Sequence, residues 1–313
     1  MPTFPFWRGI VLMAFSAMLS ACSSIPTTDP ALLSHLPQTG RAEAVPFYPQ
    51  EEKYCGPATL AAVLEWTGKR ISQHKVAHEV YTPGADGTFR HDMIAAARRH
   101  GRLAVPVRSL PALLEEVAGG TPVIVFQNLG LSWWPRWHYA VLTGYDLGRE
   151  NVILNSGDEQ NRVTGLTLFE RTWRRGGSWA LVVLPADKLP ATASIYDVMT
   201  AAAGLERAGR LDAAATAYQA IARRWPGHWL ALLGLGNIHY RQGDYDAAET
   251  SYRAALALDP TVAEVWNNLA YALKKQGRTS EAHAAAQQAV KYGQESRYDA
   301  TLQEMQPVAD SPQ

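Results

Sequence analysis

The sequence has few cysteines, no net charge and no P-loop, and each absence narrows the possible functions. Only two of 313 residues are cysteine, which excludes a disulfide-rich scaffold. Lysine plus arginine equals aspartate plus glutamate at 29 each, which argues against a nucleic-acid partner. The motif G-x-x-x-x-G-K-[ST] does not occur, so we expect no P-loop nucleotide cofactor. His74 and His78 share a helix face without a third ligand at a defined interval, so we also expect no metal site.

The sequence also lacks a long apolar run at its N-terminus. Gly9–Leu19 is apolar but too short to span a bilayer, which needs about 20 residues. Arg8 precedes this segment, and small residues lead from it to Cys22. The pattern resembles the bacterial lipoprotein signal, which implies that residues 1–21 are removed and that Cys22 is acylated. Because Ser23 follows in place of aspartate, the resemblance implies an outer-membrane lipoprotein on the periplasmic face.

The next segment, residues 22–43, is rich in proline, serine and threonine, and we predict that it is a tether. If Cys22 carries lipid, Cys55 is a lone thiol in an oxidising compartment. Such a thiol is a liability unless it is buried or useful.

Cys55 precedes an apolar segment that we predict to be a helix, with Pro57 in its first turn and Ala58–Trp66 buried. A thiol at a helix N-terminus has its thiolate stabilised by free N–H groups, which predicts a lowered pKa. A free cysteine on an apolar helix is more often a small buried hydrophobe. A catalytic interpretation therefore needs a base elsewhere in the chain.

The base is predicted in residues 134–157, which read as two short strands joined by a polar turn. His138 opens the first strand, and Asn155 closes the second. If the strands pair as a hairpin, the amide oxygen of Asn155 accepts the Nδ1 proton of His138. Nε2 then faces the thiol, which is the geometry of a catalytic triad.

These residues, with the CGPA and HYAVLTGYD segments, resemble the papain-like cysteine peptidases of the bacteriocin-leader-processing (double-glycine) group. The resemblance implies an α+β domain over residues 44–187, with a catalytic helix on an antiparallel sheet. It implies Cys55 as nucleophile, His138 as general base and acid, and Asn155 as the residue that orients the histidine. The Gln50 side chain and the Cys55 N–H are then the oxyanion hole. The family usually has an aspartate in the third position, so Asp158 stays an alternative to Asn155.

Aromatic residues flank the predicted base. Trp134, Trp137 and Tyr139 are candidates for the rim of a site that binds an extended peptide. Packing of the loop onto the sheet is an equally good explanation.

The second half of the chain is periodic. Gly209, Gly243 and Gly277 are 34 residues apart, and this period resembles the tetratricopeptide repeat. We predict an all-α solenoid of three repeats over residues 194–296 and a polar tail over residues 297–313 that frays or forms a partial cap. Such arrays bind a peptide or protein partner on the concave face, although a solvated helix face is an alternative here. The predicted groove residues are Asn237, Tyr240, Arg241, Asn267, Tyr271 and Lys274.

The sequence thus predicts a membrane-anchored cysteine peptidase that hydrolyses a peptide bond, with repeats that recruit substrate or partner. One alternative is a catalytically idle periplasmic adaptor that binds proteins through its repeats. Another is a thiol amidase or transamidase that acts on a different amide, such as a cell-wall peptide.

Overall fold

The structure, a computed structural model, describes residues 28–50, 53–85 and 87–306. The first half combines helices with one large sheet, and the second half is helical. The predicted signal peptide over residues 1–21 and the predicted acylation site at Cys22 lie outside the described residues. Within these described ranges, no helix is both long and apolar enough to cross a membrane.

Short apolar segments separated by polar turns build the first half. Its helices are α1 (Cys55–Trp66), α2 (Gln73–Val80), α3 (Arg90–Arg99), α4 (Leu110–Ala118) and α5 (Leu166–Arg175). Its strands are β1 (Thr39–Arg41), β2 (Tyr81–Thr82), β3 (Gly87–Thr88), β4 (Arg102–Val107), β5 (Val123–Asn128), β6 (Trp137–Asp146), β7 (Asn151–Ser156), β8 (Glu159–Gly165) and β9 (Trp179–Pro185). The second half contains α6 (Ile195–Arg207), α7 (Leu211–Arg224), α8 (Leu230–Gln242), α9 (Tyr245–Leu258), α10 (Ala263–Lys275), α11 (Thr279–Tyr292) and α12 (Ser296–Glu304).

The large sheet is antiparallel, with the strand order β4-β9-β5-β6-β7-β8. β1 pairs with the second half of β6, while β5 pairs with the first half. Phe126 lies opposite Tyr139, and Gln127 lies opposite His138. The predicted base therefore stands at the end of the sheet where β5 ends and β6 begins.

A β-bulge between β6 and β7 decides which side chains share a face of the sheet. Gly144 lies opposite Ile153, but Val141 lies opposite Asn155, so three steps along β6 match two steps along β7. Side chains alternate between the two faces of a sheet, so the extra residue in β6 changes which side chains share a face beyond the bulge. There, Asn155 of β7 lies on the same face as Val141 of β6.

The two faces of the sheet are covered by different helices. On β6, Tyr139 and Val141 pack on the face of α1, α2 and α3, whereas Ala140 and Leu142 pack on the face of α4 and α5. Every residue of α1 from Gly56 to Leu64 is buried, because this helix lies between the sheet and the neighbouring helices α2 and α3. Burial on every side explains why α1 is apolar all around.

The second half confirms the predicted repeats. Gly209, Gly243 and Gly277 follow the first helix of each antiparallel pair and have φ values of +71°, +83° and +78°. Glycine adopts this left-handed conformation at a helix end without steric cost, which explains its 34-residue recurrence. A Cβ on Gly236 would meet the ring of Tyr252, so the helices of a pair approach closely only because this position lacks a side chain.

The repeats are attached to the edge of the sheet. Leu103 and Val105 of β4 belong to the same apolar cluster as Val198 of α6. The segment that joins the two halves is also held, because the N–H and Oγ of Thr192 both donate to the Glu116 carboxylate at 2.8 Å. The register of β9 with β4 and β5 puts the start of β4 at the opposite end of the sheet from the end of β5.

The tether predicted over residues 22–43 includes residues that belong to the folded domain, so its predicted end is wrong. Pro30–Leu33 forms a 3-10 turn, Leu33 and Leu36 are buried in the core, and β1 joins the sheet. The composition of this segment suits a linker, but two of its leucines, Leu33 and Leu36, cover an apolar face of the domain.

Within residues 297–306, the structure shows the partial cap and not a frayed tail. Ser296–Glu304 forms α12, which packs on the last pair of helices and buries Tyr298, Thr301 and Met305. Residues 307–313 lie outside the described residues.

Candidate active site

The end of the sheet between β5 and β6 opens into a cavity of about 620 Å³. The cavity lies beside the N-terminus of α1, so helix and sheet contribute facing walls. Three of the residues predicted for catalysis, Gln50, Cys55 and His138, line it together. The remaining lining residues are Lys53, Ala85, Gly87, Thr88, Phe89, Arg90, Phe126, Trp137, Tyr139 and Gly157.

Cys55 is the first residue of α1, as the sequence predicted. The first N–H groups of a helix have no partner within the helix, and those of Cys55 and Gly56 interact with the thiol. The N–H of Tyr139, on β6, is a third donor to the same sulfur. The sulfur is therefore held between the helix N-terminus and the sheet by backbone donors alone.

The pKa of the Cys55 thiol is nevertheless raised. Burial raises it, and the hydrogen bonds from the N–H groups of Tyr139, Gly56 and Cys55 only partly oppose that rise. The predicted lowering of this pKa is therefore wrong, because desolvation outweighs the helix N-terminus. A protonated sulfur needs a base before it can attack.

His138 supplies an imidazole on the opposite wall of the cavity. Its Nε2 lies 2.8 Å from Oγ of Ser156, the last residue of β7. The ring is thus turned opposite to the predicted arrangement, in which Nδ1 is anchored and Nε2 faces the thiol. In the part of the chain that the structure describes, no hydrogen bond joins His138 to Cys55. Nδ1 is the nitrogen left for that contact.

The pKa of His138 is lowered to about 4. Burial is the main cause, because it disfavours the charged ring, and the positive charges of Arg162 and Arg136 add to the effect. His138 is therefore neutral at pH 7. A neutral imidazole and a protonated thiol that line the same cavity have the protonation states of a general base and its substrate.

Asn155 does not orient the histidine. Its Oδ1 accepts a hydrogen bond from the N–H of Asn161 at 3.1 Å, and its side chain lies on the face of Val141. Asp158 is exposed in the turn after β7 and forms no hydrogen bond to His138. Neither alternative for the third catalytic position is therefore met.

The residue that sequence reasoning missed is Ser156, which is buried beside His138. Asn155 and Ser156 are neighbours on a strand, so they point to opposite faces and only one of them can meet the histidine. The bulge in β6 makes that residue Ser156. The one signal in the sequence is Gly144, because a glycine inside a strand often marks a bulge, but it does not give the register of the two strands.

Gln50 reaches the cavity as predicted. Its backbone N–H donates to the carbonyl of Gly157 at 3.0 Å, and its Nε2 lies 3.5 Å from the carbonyl of Tyr139. Its Oε1 is buried and has no hydrogen-bond partner among the described residues. The amide is therefore anchored on its backbone side but only weakly at its tip, which leaves an N–H available to a ligand.

The aromatic wall of the cavity differs from the predicted rim. Trp137 stacks on Phe126 with ring centroids 5.3 Å apart, and Tyr139 packs on the same ring at 4.6 Å. Trp137 and Tyr139 line the cavity, whereas Trp134 does not. Tyr139 is buried and donates to the carbonyl of Thr88, so it belongs to the floor and not to the rim.

The repeats form a separate groove of about 490 Å³. Four of the predicted groove residues line it, whereas Asn267 and Lys274 do not. The ammonium of Lys274 instead lies 2.8 Å from the Glu304 carboxylate of α12, the helix that caps the repeats. The groove is lined by Glu206, Asn237, Tyr240, Arg241, Tyr252, Asn268 and Tyr271.

The described residues contain no group of three or more histidine, cysteine, aspartate or glutamate side chains able to hold a metal ion. His74 and His78 line a small cavity with Tyr54 and Tyr81. His91 lies 3.5 Å from its neighbour Asp92.

Comparison with known families agrees with the division of the chain. Residues 42–180 match the family model described as the Peptidase C39-like family. Residues 200–263 and 241–305 match two models described as tetratricopeptide repeat. The chain therefore combines a C39-like α+β domain with tetratricopeptide repeats, as the sequence resemblances implied. No curated protein matches the chain.

Solved structures cover the two halves separately. A C39-like peptidase from Bacillus anthracis is 20% identical with a TM-score of 0.42, covering 47% of this chain and 98% of its own. A double-glycine-motif protease of an AMS/PCAT transporter, in complex with its leader peptide, is 24% identical with a TM-score of 0.37, covering 46% and 93%. The Yersinia enterocolitica type III secretion chaperone SycD, in complex with a YopD peptide, is 20% identical with a TM-score of 0.34, covering 37% and 95%.

Proposed function

We propose that the C39-like domain is a cysteine peptidase in which Cys55 attacks a peptide bond and His138 moves the protons. The observation that carries this proposal is the meeting of Cys55, His138 and Gln50 in one cavity, with the thiol at a helix N-terminus. A nucleophile, a base and an amide donor are the groups that acyl transfer to sulfur requires.

The reaction begins from the neutral pair. Nδ1 of His138 takes the proton from the Cys55 thiol as Sγ bonds to the carbonyl carbon of the substrate. The carbonyl π electrons move to oxygen and give a tetrahedral oxyanion. The imidazolium then gives its proton to the leaving amine as the C–N bond breaks, which leaves a thioester. Water, deprotonated by the same imidazole, hydrolyses the thioester and restores the thiol.

Ser156 is the positioning residue for this base. For Nδ1 to accept a proton, the neutral ring must carry its hydrogen on Nε2, and Oγ of Ser156 then accepts that hydrogen at 2.8 Å. A hydroxyl holds the tautomer and the ring orientation as a carboxylate does, but it adds no negative charge. This agrees with the lowered pKa of His138.

The oxyanion is stabilised by donors already on the cavity wall. The backbone N–H of Cys55 is free of helix hydrogen bonds, and the Nε2 of Gln50 makes only one long contact to the Tyr139 carbonyl. The Gln50 amide can turn toward a charge that develops on the substrate carbonyl, whereas the Cys55 N–H is fixed at the start of α1 beside the attacking sulfur. Donors of this kind each contribute about 3 kcal/mol of transition-state stabilisation.

The walls of the cavity indicate what part of a peptide fits. Phe89, Phe126 and Trp137 give an apolar wall, and Arg90 lies over the Phe126 ring at 5.4 Å. An apolar or aromatic side chain next to the scissile bond matches this wall. The tetratricopeptide repeats are the module that brings the substrate or a partner, and the lipid on Cys22 holds the protein at the periplasmic face of an outer membrane.

A catalytically idle adaptor is the second candidate, and one observation favours it. In the described residues the imidazole and the thiol are not hydrogen-bonded, and burial keeps both of them uncharged. In this alternative the domain binds peptides without cleaving them, as the repeats do.

A peptide library separates the two candidates. The purified protein and its Cys55→Ala variant are each incubated with the library, and new termini are identified by mass spectrometry. We expect cleavage by the parent beside apolar residues and none by the variant. Binding of the same peptides by both proteins with no new termini overturns the peptidase proposal and leaves the adaptor.

A further inference from the structure

The segment from the end of β5 to the first residue of β6, residues 129–137, exposes an unusual amount of apolar surface. We name it the tryptophan loop. Among exposed large hydrophobic side chains of the described residues, Trp133 and Trp134 have the highest exposed fractions, 76% and 69%. Five of the nine residues of the loop are large and apolar with at least 46% of their surface exposed, namely Leu129, Leu131, Trp133, Trp134 and Trp137.

The exposure is built into the fold. Oδ1 of Asn128 accepts the N–H groups of Gly130 and Arg136, both at 2.9 Å, and so ties the two ends of the loop together. Leu131 and Trp134 exchange backbone hydrogen bonds at 3.1 Å across the tip. A Cβ on Gly130 would lie 2.4 Å from the Trp134 carbonyl, so only glycine allows this turn. The rings are therefore held outward by a defined backbone.

The active-site cavity does not account for this surface. Trp137 lines the cavity and stacks on Phe126, but Trp133 and Trp134 do not line it. Those two rings contact each other edge to face, with centroids 6.3 Å apart, and neither belongs to the cavity lining. A peptide that contacts only the lining residues leaves them in water, which points to another apolar phase.

The loop lies close to the point where the described chain begins. The N–H of Thr28 donates to Glu170 of α5 at 2.8 Å, and Arg174 donates to the Thr28 hydroxyl at 3.2 Å. The next residue, Arg175, donates to the carbonyl of Asn128 at the base of the loop, at 3.3 Å. Two neighbouring residues of α5, Arg174 and Arg175, therefore contact the start of the described chain and the base of the loop.

We propose that the tryptophan loop inserts into the interfacial region of a lipid bilayer. This inference rests on the proposed anchoring at Cys22. Six residues, 22–27, separate the acyl anchor from Thr28, and they span at most about 20 Å when extended. Thr28 is thus kept within that distance of the membrane surface, and the base of the loop is bound by the α5 residue next to the one that binds Thr28.

The chemistry of the loop matches that phase. Tryptophan favours the membrane interface, because its ring is apolar while its N–H remains hydrated. The sequence LGLSWWPRW contains a cation, Arg136, and no acidic residue, which suits phosphate headgroups. Since Trp137 belongs both to the loop and to the cavity wall, insertion turns the cavity mouth toward the bilayer. The substrate is then a peptide presented at the membrane surface.

The test uses the polypeptide of residues 23–313, which keeps every described residue and lacks the acyl chain. It is mixed with vesicles of phosphatidylethanolamine and phosphatidylglycerol, and the bound fraction is measured by flotation. We expect binding that falls at least about tenfold in the W133A/W134A double variant, because two interfacial rings are lost. The matched control is Tyr196→Ala, which removes an aromatic ring of similar exposure, 67%, from the repeats. It is expected to bind like the parent.

A second measurement needs no variant to fold. Vesicles with bromine on the upper acyl carbons are expected to quench the tryptophan emission of the parent more than vesicles with bromine near the chain ends. Absence of quenching, or equal flotation of parent and double variant, overturns the proposal. Loss of peptide cleavage in the double variant with unchanged flotation also overturns it and makes the loop a peptide rim. All arms are repeated with Cys55→Ala, so failure of the peptidase proposal does not affect this outcome.

Discussion

The cavity of the C39-like domain and the groove of the repeats both collect polar side chains, but their charges are arranged differently. In the cavity, burial shifts the pKa values of Cys55 and His138 toward their uncharged forms. Among the repeats, Arg241 in the groove lies 3.4 Å from Glu206, and the half-exposed Lys274 outside the groove lies 2.8 Å from Glu304. The first region keeps neutral groups ready for proton transfer. The second holds an exposed ion pair, in which an acidic ligand can take the place of the Glu206 carboxylate beside Arg241.

The contrast teaches that the two regions respond to different perturbations. Groups that act by proton transfer are sensitive to pH and to single-atom changes, since their environment sets their pKa values. Exposed ion pairs are screened by water and salt, and each contributes little. Loss of a cavity residue should therefore have a large effect, and loss of a groove residue a small one.

The largest expected effect is that of removing the nucleophile. Cys55→Ser keeps the shape of the side chain but replaces sulfur by a poorer nucleophile, and we expect kcat/KM for a cleaved peptide to fall about 1,000-fold or more. Thermal unfolding of the variant serves as the control, because a small hydroxyl fits the same space. Retention of more than a tenth of the activity would contradict the assignment of Cys55.

The second effect concerns stability against pH. The folded-state pKa of His138 is about 4, below the value of about 6.5 for an unfolded histidine, so the unfolded chain binds the extra proton first. The stabilisation is fully present above about pH 6.5 and is lost as the pH falls toward 4. The difference corresponds to about 3 kcal/mol in the free energy of unfolding.

Denaturant unfolding at a series of pH values in this range measures that loss. The His138→Gln variant, which does not titrate, should show a flatter pH dependence than the parent. His35→Gln is the control, because His35 is largely exposed on the surface of the same domain. Equal slopes for the parent and His138→Gln would show that His138 is not held neutral.

The third effect distinguishes the residue seen beside the histidine from the one that the sequence indicates. Ser156→Ala removes the acceptor for Nε2 of His138, and we expect kcat to fall about 10- to 100-fold with KM unchanged. Asn155→Ala is the matched control on the neighbouring position. It should lower stability through the lost bond to Asn161 but leave the acidic limb of the pH–rate profile in place. A larger loss of kcat in Asn155→Ala would contradict this assignment and indicate that Asn155, not Ser156, orients His138.

The smallest effect lies in the groove. Arg241→Ala should weaken binding of an acidic peptide to the full chain about two- to fivefold, since a partly exposed charge contributes about 0.5–1 kcal/mol. Arg253→Ala is the control, because Arg253 also forms an ion pair, with Glu249, but does not line the groove. Isothermal titration of both variants measures the difference. Equal affinities of the Arg241→Ala and Arg253→Ala variants for the acidic peptide would mean that the groove does not bind negative charge through Arg241.

Much of the fold could be predicted, because it depends on local patterns. The 34-residue recurrence of Gly209, Gly243 and Gly277 marks helix ends that need positive φ, and this constraint is visible in any sequence. The apolar run after Cys55 likewise predicts α1. The ends of the domains were less predictable. Leu33 packs on partners that are distant in the chain, and Tyr298 lies in a segment for which the sequence left a frayed tail and a partial cap equally open.

The sequence predicts which residues line the site, but it does not predict how the two strands align their side chains. Cys55, His138 and Gln50 meet as expected, but the choice between Asn155 and Ser156 depends on the bulge at Thr143, which no composition rule reveals. The sign of the thiol pKa was also out of reach. It is set by how much of Cys55 the sheet covers, and the helix N-terminus alone suggests the opposite direction.

The central claim is that His138 acts as a general base for Cys55, and one measurement tests it most directly. The rate at which a p-nitrophenyl ester acylates Cys55 is followed by mass spectrometry from about pH 5 to about pH 8 in the parent and in His138→Ala. With a neutral base of pKa about 4, the parent rate should stay level over this range and exceed that of the variant by about 100-fold or more at pH 6. Equal rates in the two proteins, both rising with pH as thiolate forms, would contradict the account.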